Sequence, residues 1–262
     1  MKTKDQPLKA RIAAGEVTLG SWVMTGSSTV AEIMAHSGFD WLVIDLEHTV
    51  TDLAETQDII RAIDSACIPA ICRLTSLDVN QIKRVMDAGA SGVMVPNIRS
   101  AAEAKQAVDA VYYPPRGTRG VGLFRAQSYG APGAFEAYKK RLDAEGLVIV
   151  MIEHVDAIQE IDAILAVDGV DAWIVGPYDL TGSLGDPGNF DMPAFAEALA
   201  AILEAGKRAG KQGGIHVVET DQAQLQARID QGFRFLGYGV DTRILDSVCR
   251  SHLAAIRSSD LK

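Results

Sequence analysis

Cysteine is scarce in this chain. There are three in 262 residues, Cys67, Cys72 and Cys249, and no two form a C-x-x-C pair. That excludes a disulfide framework and reads as buried thiols in a reducing compartment. Long apolar runs are missing too: no segment reaches the roughly 18 unbroken apolar residues of a membrane span. The opening MKTKDQPLKARIAAGE has no apolar centre of a signal peptide, so we expect a cytoplasmic protein with no membrane partner. Positive charge is in deficit, with 25 Lys and Arg against 34 Asp and Glu, a net charge of −9. Nothing there draws the chain to nucleic acid or anionic lipid, and an anionic small molecule would need local help from arginine, a metal or backbone N–H groups. Two chemical signatures are also absent: no G-x-S-x-G elbow for a serine hydrolase, and no G-x-G-x-x-G after the first apolar run for a dinucleotide fold.

What remains is an ordinary globular composition, 48 % hydrophobic and 23 % charged. Short apolar runs alternate with amphipathic ones along the whole chain. Strands are predicted at 19–24, 41–47, 69–75, 92–97, 147–153, 171–177, 213–218 and 234–240. Helical patterns lie between them, such as DLAETQDIIRAIDSA from Asp52 and SAAEAKQAVDAV from Ser100, each opening on a plausible N-cap. Near-continuous hydrophobicity within strands implies a parallel sheet covered on its faces. Eight β–α units in a chain close to the ~250 residues of such folds predict one (β/α)8 barrel over residues 1–262, with a doubly wound sheet as the weaker alternative. One connection is long, Tyr113 to about Ala134 (YYPPRGTRGVGLFRAQSYGAPGA from Tyr112), and loops of that length are usually functional or disordered.

In a barrel of this kind the C-terminal strand ends line the site. Read in order, those ends carry Asp45, Glu47 and His48 after strand 2, Arg73 at strand 3, Glu153 at strand 5 and Asp179 after strand 6. Glu153 shares a strand face with Leu147, Ile149 and Met151 by period two, so its carboxylate ends a core-facing row. Such a group is costly unless paired. It is either a salt-bridge partner of an arginine such as Arg73, or a metal ligand with Asp179 as the second carboxylate. Two oxygen ligands and no nearby cysteine favour Mg²⁺ or Mn²⁺, with Co²⁺ also compatible. His48 is the candidate base, because imidazole exchanges protons near neutral pH. His36 and His252 read as helix residues, His154 as a neighbour of the site, and His216 as a hydrogen-bonded core histidine. No lysine falls on a predicted strand, so a Schiff-base aldolase has no candidate amine. Arg116, Arg119 and Arg125 in the long loop could meet an anionic group on a substrate, or serve solubility and subunit contacts.

Several stretches, in this order, resemble one family: GFDWLVIDLEH, GVMVPNIRSAAEAKQAV, YYPPRGTRGVG, the IE that ends strand 5, and VGPYDLTGSLG. They are similar to the HpcH/HpaI aldolases, class II metal-dependent pyruvate aldolases of the phosphoenolpyruvate/pyruvate barrel superfamily. The resemblance implies reversible aldol cleavage of a 4-hydroxy-2-oxo acid to pyruvate and an aldehyde. It implies metal binding by Glu153 and Asp179, substrate contact by Arg73 and by the backbone of Gly176, Pro177 and Tyr178, and proton transfer by His48 tuned by Asp45, Glu47 or Asp87. It also implies a homo-oligomer, commonly a hexamer, with an exchanged C-terminal helix near residues 242–256. The family usually has Gln where this chain has Met151, whose thioether donates no hydrogen bond. Two other functions remain open from sequence: a thioester C–C lyase like the citrate-lyase β subunit or malyl-CoA lyase, and a non-catalytic keto-acid or metal-binding protein.

Overall fold

A computed structural model describes residues 6–258; the outermost residues of the domain expected over 1–262 lie outside the described part. Its eight strands are β1 (Thr18–Val23), β2 (Trp41–Asp45), β3 (Ala70–Arg73), β4 (Gly92–Val95), β5 (Leu147–Ile152), β6 (Ala172–Val175), β7 (Gly213–Val217) and β8 (Phe235–Val240). Each pairs in parallel with the next, and β8 closes onto β1, giving a (β/α)8 barrel rather than a doubly wound sheet. All eight predicted strands are present; β1 is shifted one residue toward the N-terminus and the other seven are shorter than expected at one or both ends.

The helices are α1 (Leu8–Ala13), α2 (Ser28–His36), α3 (Leu53–Asp64), α4 (Val79–Ala88), α5 (Ala101–Val111), α6 (Ala134–Glu145), α7 (Val155–Gln159), α8 (Ile161–Ala166), α9 (Pro177–Ser183), α10 (Pro193–Ala209), α11 (Gln222–Gln231) and α12 (Asp241–Ser258). The expected caps form for a local reason. Asp52 and Ser100 each accept the backbone N–H three residues on, and Glu55 and Glu103 reach back to the cap N–H, completing two capping boxes. Helix α1 was not anticipated. Its Leu8 and Ile12 are buried with Trp41, Leu147 and Phe235 in the barrel interior, so it plugs the N-terminal mouth.

Strand periodicity separates two cores. Trp22, Trp41, Val43, Ile71, Ile149, Met151, Ile174 and Phe235 fill the barrel, while the alternate strand residues pack outward against the helices. Inside, Trp41 stacks on Phe235 at 4.1 Å between centroids and meets Trp22 edge-on at 6.0 Å. These rings fit because small residues face them. The long connection before α6 holds only a 3₁₀ turn at Arg125–Gly130, with Ser128 and Tyr129 in the left-handed region. On α12 only Asp241 is buried, and Leu245, Val248, Leu253 and Ile256 are exposed.

The aromatic floor generates a stability prediction. A Cβ on Gly20 would lie 2.0 Å from the Trp41 ring, and neighbouring rings leave that indole no room to move. We expect Gly20→Ala to cost about 2 kcal/mol or more by overpacking, measured as a shift of the urea midpoint. An unchanged midpoint would mean that the floor yields, against this packing account.

Candidate active site

The rim residues foreseen from sequence meet at the C-terminal mouth. Asp45 ends β2 and Arg73 ends β3, and the two are register partners in the parallel ladder. Asp45 is fully buried and takes the guanidinium in a fork, Nε to Oδ1 at 2.9 Å and Nη2 to Oδ2 at 2.7 Å. The same carboxylate shapes the next loop: the N–H groups of Glu47 and His48 donate to its Oδ1 at 3.0 and 3.4 Å. One side chain thus holds Arg73 and folds the segment that presents His48.

Glu47 lies between them. Its Oε2 is 3.3 Å from Arg73 Nη1 and 3.7 Å from His48 Nε2. Its carboxyl is raised above the ordinary value by burial, against the lowering pull of Arg73 and His48. The His48 side chain is about half exposed, so it faces the mouth rather than the floor.

Glu153 follows β5 and is 5 % exposed. Its Oε1 accepts the Asn97 N–H at 2.6 Å, and Asn97 adopts a left-handed φ of 53° in the loop after β4. Its Oε2 is buried with no hydrogen-bond partner. Among the described residues Glu153 forms no ion pair with Arg73, whose partners are Asp45 and Glu47; the salt-bridge alternative is therefore not the one this fold takes. Burial pushes the Glu153 carboxyl up to about 8, and the charges of Glu47 and Asp179 add to the rise. Gly176, at the end of β6, makes room for it: a Cβ there would lie 2.5 Å from Oε2. Asp179 sits exposed in the first turn of α9, after Pro177 and Tyr178.

The chemistry of this set suits a hard cation. Glu47, Glu153 and Asp179 interact electrostatically, one oxygen of Glu153 is orphaned, and a single arginine already committed to two acids is the local positive charge. Among the described residues no group of three or more His, Cys, Asp or Glu forms a closed metal cage. Two carboxylates with positions left for water and substrate is the way Mg²⁺ is usually held. Met151 is buried in the interior row beneath Glu153 and contributes no donor.

Asp87 stands apart within the chain. It is near the end of α4, where its carboxylate pairs with Arg119 and accepts Gln127 Nε2 at 3.0 Å. The loop arginines are likewise engaged internally. Arg116 lies over the Tyr112 ring at 3.5 Å, Arg119 is buried against Asp87 and Tyr138, and Arg125 pairs with Asp64 at 2.5 Å. Sequence reading missed Trp22 as a site residue. Arg73 lies over its ring at 6.0 Å, and His216 stacks on it at 3.9 Å. Its position on the barrel face of β1, two residues after Gly20, was the available signal. His216 is a hydrogen-bonded interior histidine as expected, its Nε2 3.1 Å from the Gly239 carbonyl, and burial pushes its imidazole down to about 4.

The Glu153 environment has a measurable consequence. Unfolded, the carboxyl ionises near 4.5, and folded near 8. Its burial therefore costs stability that grows as pH rises through 4.5 and is complete above about 8. In chelator-treated protein we expect Glu153→Gln to be more stable than the parent at pH 8, by on the order of a few kcal/mol, with the advantage largely gone at pH 5. Melts at the two pH values check it; an advantage of equal size at both would contradict the buried-charge account.

Comparison with known proteins agrees with this geometry. The profile of the HpcH/HpaI aldolase/citrate lyase family matches residues 18–247. A hydroxypyruvate/pyruvate aldolase of Paraburkholderia phytofirmans is 38 % identical over 98 % of this chain and all of its own. A 4-hydroxy-2-oxovalerate aldolase of Novosphingobium aromaticivorans is 38 % identical over 92 % of this chain and 91 % of its own. The crystal structure of a family protein from Burkholderia cenocepacia superposes with a TM-score of 0.89 at 34 % identity, covering 95 % of this chain and 98 % of that one. On the profile match and these relatives, the chain belongs to the HpcH/HpaI aldolase/citrate lyase family.

Proposed function

We propose that the rim pocket holds a divalent cation, Mg²⁺ or Mn²⁺, on Glu153 and Asp179, and that Arg73 and His48 carry the chemistry beside it. The chain is a carbon–carbon lyase of the aldolase type, which cleaves a 4-hydroxy-2-oxo acid reversibly to pyruvate and an aldehyde. Hydroxypyruvate is a second candidate product and nucleophile, in line with the name of the P. phytofirmans relative. The observation that carries the site assignment is the orphaned Oε2 of Glu153, buried next to two further carboxylates.

The cation, when bound, would polarise the 2-oxo group and offset negative charge as it develops on the keto oxygen. The protein's own groups do the rest. Asp45 takes Nε and Nη2 of Arg73 and Glu47 lies by Nη1, which fixes the guanidinium and leaves its remaining N–H bonds for the anionic substrate. The backbone N–H groups of Gly176 and Tyr178 face the substrate carboxylate in this reading, Pro177 between them having none, and the missing Cβ at Gly176 lets the substrate approach. His48, on the exposed loop, takes the proton of the 4-hydroxyl in cleavage and returns it in synthesis. Glu47 orients that imidazole and links it to Arg73. Asp45 acts through both, as a positioning residue. Asp87 is bound to Arg119 and Gln127 and, among the described residues, contacts none of Asp45, Glu47, His48 or Arg73.

The exposed apolar row on α12 supports a homo-oligomer in which that helix packs on another subunit. Among the described residues no helix is long and apolar enough to cross a membrane, and we retain a cytoplasmic location as part of this reading.

Incubation with pyruvate in D₂O tests the pocket without a choice of aldehyde. We expect C3 deuteration with Mg²⁺ or Mn²⁺, its loss in EDTA, and its loss in Glu153→Ala. For cleavage of 4-hydroxy-2-oxovalerate, His48→Ala should lower kcat by about 10² to 10⁴. Exchange that persists in EDTA, or full cleavage by the His48 variant, would remove the corresponding role.

A further inference from the structure

The three tryptophans differ in one respect. The indole N–H of Trp41 donates to Thr18 Oγ1 at 3.3 Å, and that of Trp173 to the Lys211 carbonyl at 3.2 Å. The N–H of Trp22 is buried and has no acceptor among the described residues, although the side chain is 1 % exposed. A buried indole donor left without a partner costs roughly 1–3 kcal/mol, and buried Trp N–H groups usually find one.

The surroundings of the ring show where its acceptor would sit. The Cζ3–Cη2 edge lies against Gly237 of β8, where an added Cβ would come within 2.3 Å. One partner, His216, stacks on the ring at 3.9 Å and 12°. Trp41 meets it edge-on at 6.0 Å. The N–H lies on the edge opposite Cζ3, so it is turned away from Gly237, and the Arg73 guanidinium lies over the ring with its Cζ 6.0 Å from the centroid. Met151, in the same interior row, carries no donor that could compete for a ligand there.

We infer that the Trp22 N–H is a substrate-positioning donor, completing its hydrogen bond on an oxygen of the bound 2-oxo acid beside Arg73. The inference rests on the pocket being an oxo-acid site, as proposed above. Its acceptor is an anion's oxygen, which makes the bond stronger than a neutral pair. The stacked His216 and the Gly237 backbone hold the indole in place. Trp22 moves no proton in the reaction, and its effect belongs to binding and alignment.

Indole ¹H–¹⁵N spectra of the Mg²⁺-loaded protein test this directly. Single Trp→Phe substitutions assign the three signals, and Trp22 can be assigned by elimination from Trp41→Phe and Trp173→Phe if its own variant does not fold. On titration with pyruvate we expect the Trp22 N–H proton to move downfield by about half a ppm or more, as a new hydrogen bond requires, with Trp41 and Trp173 nearly still. Trp22→Phe, which keeps a ring on His216 and deletes the donor, should raise KM for the oxo acid about ten- to a hundredfold with a smaller change in kcat. Pyruvate that binds, seen by broadening of its own methyl signal, without moving the Trp22 proton overturns the inference alone. Pyruvate that fails to bind overturns the oxo-acid reading of the pocket and this inference with it.

Discussion

The fully buried carboxylate of Asp45 accepts from its register partner Arg73 through both oxygens, and from the backbone N–H groups of Glu47 and His48. Parallel pairing puts the two Cα atoms side by side at the mouth, so the fork forms with no loop to order first. Replacing a partner of such a buried pair leaves an uncompensated charge, which costs far more than an exposed pair would. The orientation of the guanidinium and the course of the His48 loop therefore depend on one side chain. Glu47, positioned by that loop, then reaches both Arg73 and His48.

Across the mouth the charge balance is unfavourable until something binds. Glu47 and Asp179 raise the cost of ionising Glu153, Asp179 also raises that of Glu47, and Arg73 is shared with Asp45. Evolution tolerates such strain where function needs it, and the barrel supplies the stability from elsewhere. Its floor stacks Trp41 on Phe235, with Trp22 edge-on to Trp41, and is closed from below by Leu8 and Ile12 of α1. Gly176 shows the same economy at the scale of one atom: a Cβ there would occupy the space beside the Glu153 oxygen that a ligand must reach.

How much of this could be read from sequence varied with the range of the interaction. Strands wrapped on both faces appear as apolar runs, so β1 to β8 were legible, and the polar residues that end them named Asp45, Arg73 and Glu153. The caps at Asp52 and Ser100 are local and were legible too. Helix α1 was not, because six residues ahead of the first strand carry too little periodicity, and its burial is decided by the barrel mouth. The alternatives for Glu153 could not be separated by pattern, since its distance from Arg73 depends on the order of β3 and β5 around the ring. Nothing in the sequence marked Trp22 beyond its place in the apolar run of β1; the missing acceptor for its N–H distinguishes it. The family resemblance placed Asp87 with the catalytic groups, yet α4 carries it to Arg119 and Gln127. The arginines of the long loop read as free charges because their partners, Asp64, Asp87 and the Tyr112 ring, lie on earlier elements.

The division of labour between strand ends and loop follows from what each group must do. In the proposed reaction Arg73 and Glu153 would hold a small anion and its counter-charge in one geometry, and rigid strand termini surrounded by close packing suit this with little entropy lost on binding. In the function proposed above, His48 exchanges a proton with substrate on one side and water on the other, which a buried imidazole could not do. A half-exposed position on a loop pinned at its root by Asp45 satisfies both needs. His216 illustrates the opposite choice: stacked on Trp22 and bonded to the Gly239 carbonyl, with its proton affinity lowered by burial, it stays neutral and serves as a wall. Two histidines in one barrel mouth thus take different parts because one was left on the loop and the other was placed on a strand.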